Sequence, residues 1–121
     1  MNSNKNLVSV LMNCFNGEKY LDEALLSVIN QTYSNWEIIF WDNQSTDRSA
    51  EICKKYKDPR IRYFYAQTHT DLGTARIEAS KYIKGNWLTI LDTDDYWYKN
   101  NLSSKIDHIL SNTKIGLIYS K

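Results

Sequence analysis

Four short apolar runs recur along the chain: LVSVLM at Leu7–Met12, WEIIFW at Trp36–Trp41, IRYFY at Ile61–Tyr65 and WLTIL at Trp87–Leu91. A stretch with helical spacing follows each of them, and no feature constrains the fold more. Short β-branched and aromatic runs of this kind suit strands buried in a parallel sheet. Between them, Leu21, Ala24, Leu25, Val28 and Ile29 repeat at helical intervals, and Ser49, Ile52, Cys53 and Tyr56 make one face of a second helix. Leu72, Ala75, Ala79, Tyr82 and Ile83 mark a third helix, with Gly85 as its stop, and Leu102, Ile106, Ile109 and Leu110 a fourth. A last run, Ile115–Tyr119, reads as a fifth strand. The order β-α-β-α-β-α-β-α-β predicts an α/β fold: a mainly parallel sheet with helices on both faces.

Local chemistry supports these boundaries. Asn16 or Gly17 is placed to cap the first helix, with Glu18 in its first turn. Ser45, Thr46 and Asp47 offer the same helix-start chemistry to the second, and Pro59 sits in the turn Lys57–Arg60. No repeat or Pro/Gly-rich linker divides the 121 residues, which fit a single domain. A formal net charge of +1 provides no footprint for nucleic acid or an anionic membrane. Cys14 and Cys53 have neither CxxC nor metal-ligand spacing and read as free thiols in a reducing compartment. The apolar run near the N-terminus is too short for a signal core or a membrane span, so the expected location is the cytoplasm.

In open α/β sheets ligands gather at the carboxyl ends of strands, near a switch in strand order. Three polar segments fall at such ends: Asn13–Gly17, Asp42–Asp47 and Asp92–Asp95. The last, within LDTDDYWY, has three carboxylates in four residues. At ~6 Å and an effective dielectric of ~20, each pair costs ~3 kcal/mol before screening. Such a cluster persists on a solvated loop or around a divalent cation. In an extended segment Asp92 and Asp94 would face the same way, and hard oxygen ligands favour Mg²⁺, Mn²⁺ or Ca²⁺. The glycines at 17, 73, 85 and 116 form no GxGxxG and no GxxxxGK[ST], which argues against a glycine-cradled dinucleotide.

The stretch VSVLMNCFNGEKYLDEALLSVINQTYSNWEIIFWDNQSTD, residues 8–47, resembles the opening of the family 2 inverting glycosyltransferases of the GT-A fold. HTDLGTARIEAS looks like their NxGxxxARNxG segment and LDTDDYWY like their metal-binding acid motif, in the right order and spacing. The resemblance implies transfer of a sugar from a nucleotide diphosphate sugar, of UDP or dTDP type, with Mn²⁺ or Mg²⁺. Carried over by position, Asn13 and Phe15 hold base and ribose, Phe15 standing where Tyr is usual. Asn43 matches the acid that often contacts uracil, and Asp42 beside it is expected to bind the nucleotide sugar as well. Arg76 pairs with the diphosphate or supports the base contact. Asp94 is the metal ligand, Asp92 a ribose or second metal contact, and Asp95 a further ligand.

Ser45 and Asp47 are expected to build a turn and cap a helix, and Trp97 either walls the sugar pocket or packs beside a turn. His69 and His108 receive no role. An inverting displacement also needs a base for the acceptor hydroxyl. After Asp95 the only acid is Asp107, on the polar side of the fourth helical pattern, and a poor candidate. Residues 1–121 are therefore read as the donor-binding half of the family's domain, truncated at the C-terminus, with the catalytic base expected beyond Lys121. The resemblance places the parent activity in surface polysaccharide or glycoconjugate synthesis, with a glycan or lipid-linked acceptor and a place at the inner face of the membrane. Self-association through the truncated face is a further expectation. The alternative is a non-catalytic nucleotide-sugar-binding fragment or interaction module. A phosphoacceptor receiver domain is disfavoured, because it wants acids after the first strand, where MNCFNG stands, and a phosphoacceptor Asp after the third, where YAQTHT stands.

Overall fold

The computed structural model describes residues 6–111, with side chains described as far as His108. Strands β1 (Val8–Cys14), β2 (Trp36–Asp42), β3 (Ile61–Tyr65) and β4 (Trp87–Ile90) alternate with helices α1 (Glu18–Ile29), α2 (Ser49–Lys55), α3 (Leu72–Ser80) and α4 (Asn101–Ser111). The four strands form one parallel sheet in the order β3-β2-β1-β4. The expected strand at Ile115–Tyr119 lies outside the described residues, as do the side chains of Ile109 and Leu110.

The alternation of side chains along each strand divides the core in two. Val8, Val10, Met12, Ile38 and Phe40 point to one face and meet Leu21, Leu25 and Val28 of α1, Ile52 of α2, and Leu102 and Ile106 of α4. Leu11, Ile39 and Trp41 point to the other and meet Ala75 and Ala79 of α3. Right-handed crossovers account for this. The chain moves outward from β1 through β2 to β3 with α1 and α2 on one side, then returns across the opposite face with α3 to place β4 beyond β1. Strand order therefore switches direction between β1 and β4, and a crevice opens at their carboxyl ends.

Two helix boundaries differ from the expectation. The third helix ends at Ser80, not at Gly85. Lys81, Tyr82 and Ile83 donate to carbonyls three residues back (Glu78, Ala79 and Ser80), a tightening that unwinds the last turn. Gly85 instead serves a close approach. A Cβ there would lie 2.5 Å from the Leu7 carbonyl, and its N–H donates to Ser9 Oγ at 2.9 Å. Ser9 in turn donates to Glu37, which also accepts from the Lys84 N–H and from Arg62. This buried carboxylate ties the α3–β4 turn to the first two strands.

The second difference concerns caps. Gly17 is the residue before α1, but it supplies no side-chain cap. The N–H groups of Asn16, Gly17 and Glu18 donate instead to Ser45 Oγ, Ser49 Oγ and Asp47 Oδ2 on the β2–α2 segment. Asp47 Oδ1 also accepts from the Ser49 N–H, so one carboxylate serves the starts of both α1 and α2. Asn16, at φ 51°, returns the favour by accepting from the N–H groups of Thr46 and Asp47. Its short polar side chain suits the left-handed backbone there.

Candidate functional site

Two adjoining hollows open at the carboxyl end of β1, one toward β2 and α3 and the other toward the loop after β4. One, of about 280 Å³, is lined by Asn13, Phe15, Asn43, His69 and Asp71 among others. The other, of about 350 Å³, is lined by Asn13, Phe15, Lys19, Asp92 and Asp94 among others. Asn13, Phe15 and Leu72 belong to both, so the two make one continuous cleft. A larger hollow of about 490 Å³ lies between β3 and α3, lined by Trp41, Phe64 and Tyr82, and none of the sequence-predicted site residues reaches it. The crevice, not the larger hollow, gathers the chemistry.

Asn13 stands near the end of β1, and both polar atoms of its amide are buried with no hydrogen-bond partner. A buried polar group left unmet costs about 1–3 kcal/mol, so this amide is primed for a ligand or water. Phe15 is 52% exposed on a polar rim. Its ring contact among the described residues is His69, with centroids 4.6 Å apart and tilted, so a face of Phe15 stays open to solvent.

The acids arrange themselves differently from the expected extended segment. β4 ends at Ile90, and Asp92–Asp95 form a turn closed by the Asp95 N–H on the Asp92 carbonyl at 3.1 Å. Asp92 and Asp94 still line the same hollow, whereas Asp95 caps its own neighbour by accepting from the Tyr96 N–H. Arg76, projecting from α3, reaches Asp92 with an Nη2–Oδ1 distance of 3.3 Å. Its Nε–H is buried and unpartnered. Gly17 lets this turn close on the β1–α1 loop, because a Cβ at that position would meet Thr93 Oγ1 at 2.7 Å.

Two predicted contacts face elsewhere. Asp42 is fully buried, accepting from the Ser45 N–H and the Tyr63 hydroxyl, and lines neither hollow. Burial and that carboxylate together push the Tyr63 phenol well above its usual range. Asn43 borders the first hollow, but its amide is committed to one backbone residue. Nδ2 donates to the Thr70 carbonyl at 2.7 Å and Oδ1 accepts from the Thr70 N–H at 3.1 Å. Trp97 is buried in the core cluster rather than on the cleft. Cys14 and Cys53 are free and buried, and burial raises both thiols, Cys53 to about 12.

The donor set at the second hollow fits a small hard dication. Such an ion holds one or two carboxylates and fills its octahedron with water and phosphate oxygens. Asp92 and Asp94 supply that number, and among the described residues no three His, Cys, Asp or Glu side chains form a closed cage. Lys19 and Tyr20, from the first turn of α1, also line this hollow. They escaped the sequence reading because EKYL looks like any helix start. His69 escaped because an isolated histidine carries no motif.

The pattern of Glycosyl transferase family 2 matches residues 9–120. The chain belongs to that family. It is 34% identical over 113 residues to the UDP-Glc:alpha-D-GlcNAc-diphosphoundecaprenol beta-1,3-glucosyltransferase WfgD of Escherichia coli, covering 93% of this chain and 44% of that protein. It is 32% identical over 108 residues to the putative teichuronic acid biosynthesis glycosyltransferase TuaG of Bacillus subtilis, covering 88% and 43%. Among solved structures, S. aureus TarS 1-349 in complex with UDP-GlcNAc superposes with a TM-score of 0.84 at 28% identity, covering 88% of this chain and 32% of that one. These shares make the α/β architecture a GT-A fold in its N-terminal part, and the chain spans less than half the length of these relatives. Among the described residues no helix is long and apolar enough to cross a membrane.

Proposed function

We propose that this chain builds the donor site of a glycosyltransferase that takes a sugar from a UDP- or dTDP-type nucleotide and transfers it with inversion, in the synthesis of a surface polysaccharide. One observation carries the reading: the continuous cleft at the switch point has an exposed aromatic and an unmet amide where its two hollows join, and two carboxylates lining one of them. That is the layout of a nucleotide diphosphate with its phosphates neutralised. The family match and the likeness to TarS, whose structure holds UDP-GlcNAc, support it.

Phe15 supplies the stacking face for the base, and Asn13 the polar contact between base and ribose. Arg76, already angled at Asp92, turns its free Nε–H toward diphosphate oxygens, a pairing that guanidinium geometry favours. Asp94 and Asp92 would hold Mn²⁺ or Mg²⁺, and that ion would neutralise charge on the departing diphosphate. In the transfer the acceptor oxygen bonds to the anomeric carbon as the bond to the phosphate oxygen breaks. The nucleoside diphosphate leaves with the electron pair, and the hydroxyl proton passes to a base. We assign that base, and the acceptor pocket for a glycan or lipid-linked hydroxyl, to residues beyond Lys121.

Calorimetry tests the donor site directly. UDP should bind wild type at least tenfold more tightly with Mn²⁺ than in chelator, and Asp94→Ala should lose most of that gain. Equal affinity with and without metal in both proteins would overturn the reading.

A further inference from the structure

The cleft leaves one side chain without a task. His69 lies in the segment between β3 and α3, and its Nδ1 is 2.9 Å from the carbonyl oxygen of Asn43. A carbonyl only accepts, so Nδ1 must carry the hydrogen. In the neutral ring Nε2 is then an acceptor, with its lone pair in the ring plane, and among the described residues no hydrogen bond engages it. The ring also forms one wall of the 280 Å³ hollow, 4.6 Å from Phe15 and tilted 56° to it. Two aromatic walls and a fixed acceptor therefore surround the place where a base would enter.

The residue expected to read the base is not free to do so. Both ends of the Asn43 amide are tied to Thr70, and their assignment is unambiguous because the Thr70 N–H can only donate and its carbonyl can only accept. The same Asn43 contributes its carbonyl to hold His69. Asn43 thus acts as the scaffold on which the His69 loop rests.

We propose that His69 is the base-selecting residue of the donor site. Its Nε2 accepts the ring N–H of uracil or thymine while Phe15 stacks on the ring face. Cytosine offers a lone pair where uracil offers N–H, so it meets His69 acceptor to acceptor and is rejected. The inference rests on the nucleotide-donor reading above and goes beyond it by naming the group that chooses the base.

The test is titration of UDP, CDP and GDP, each with Mn²⁺, into wild type, His69→Phe and His69→Gln, with thermal unfolding of each variant to confirm the fold. Wild type should prefer UDP over CDP by tenfold or more, whereas GDP, whose guanine also carries a ring N–H, should lose affinity along with UDP when the acceptor is removed. His69→Phe keeps a ring beside Phe15 but has no acceptor; UDP should weaken about tenfold and its preference over CDP should vanish. His69→Gln restores an acceptor oxygen and should recover part of the preference. A His69→Phe protein that still prefers UDP over CDP as wild type does would overturn the assignment, as would a wild type that binds UDP and CDP equally. Those results would leave the nucleotide site itself standing. Absence of any UDP binding by wild type would instead remove both.

Discussion

Replacing Asn43 by aspartate separates two accounts of the cleft. The family resemblance places an acid at this position as a base contact, so Asn43→Asp would be expected to strengthen recognition of uracil. The structure predicts damage. Asn43 is 6% exposed, and its Nδ2–H donates at 2.7 Å to a carbonyl that no other group among the described residues is seen to satisfy. A carboxylate keeps the acceptor for the Thr70 N–H but turns its second oxygen on the Thr70 carbonyl. One hydrogen bond becomes a repulsive contact, and a buried acceptor goes unmet. Together these cost about 2–3 kcal/mol. For a chain of this size that lowers Tm by about 6–12 °C. The loop bearing His69 loses its anchor at the same time, so UDP affinity should fall too. Protonating the new carboxyl restores a donor, so the stability deficit against wild type should narrow as pH falls toward about 4–5. Denaturant unfolding at pH 7 and pH 5, with a UDP titration at pH 7, measures all three effects. An Asn43→Asp protein as stable as wild type that binds UDP more tightly would refute the clamp.

Other perturbations probe the frame around the site. Gly17→Ala drives a methyl against Thr93 and Cys14 and should part the two loops that form the cleft, lowering UDP affinity with Mn²⁺ about tenfold while helix content by circular dichroism stays unchanged. Glu37→Gln puts an amide N–H₂ against either Arg62 or the Ser9 and Lys84 donors, and urea unfolding should show a loss of about 2–3 kcal/mol. Asp22, Asp47, Asp58 and Asp71 have carboxyls held below their usual range, Asp22 chiefly by Lys55 and Tyr56, Asp58 by Arg60, and Asp71 by Thr74. For Asp47, hydrogen bonds from Ser49 and Glu18 together outweigh desolvation, which acts the other way. Groups with depressed folded values stabilise above about pH 4 and lose that contribution as pH falls through the folded values, so Tm should drop between about pH 4 and pH 2.

Much of the fold is visible in the sequence because it rests on periodicity. WEIIFW is apolar on both faces in a way only a doubly covered strand needs, and the spacing of Leu21, Leu25 and Val28 points a single stripe at it. The structure places all three at 0% exposure. What periodicity does not carry is partnership across the chain. Ser45 and Asp47 look like the cap of the next helix and Ser49 like part of its face, yet all three spend hydrogen bonds on the start of α1, about thirty residues back. Gly85 looks like a helix stop and is a close-approach residue against Leu7. The acid motif and Arg76 were legible as a group because a family pattern spans them; Asp92 and Asp94 line one hollow, and Arg76 reaches Asp92. The commitments of Asp42 to Tyr63 and of Asn43 to Thr70 were not legible, since each joins segments more than twenty residues apart through one side chain. The same distance hid His69.

The most direct test of the central claim is a crystal structure of the protein with UDP and Mn²⁺. The account predicts the base stacked on the exposed face of Phe15 with its ring N–H on His69 Nε2, the diphosphate near Arg76, and the metal on Asp94 and Asp92. Nucleotide seated instead in the hollow lined by Trp41, Phe64 and Tyr82, or metal bound away from Asp92 and Asp94, would contradict it.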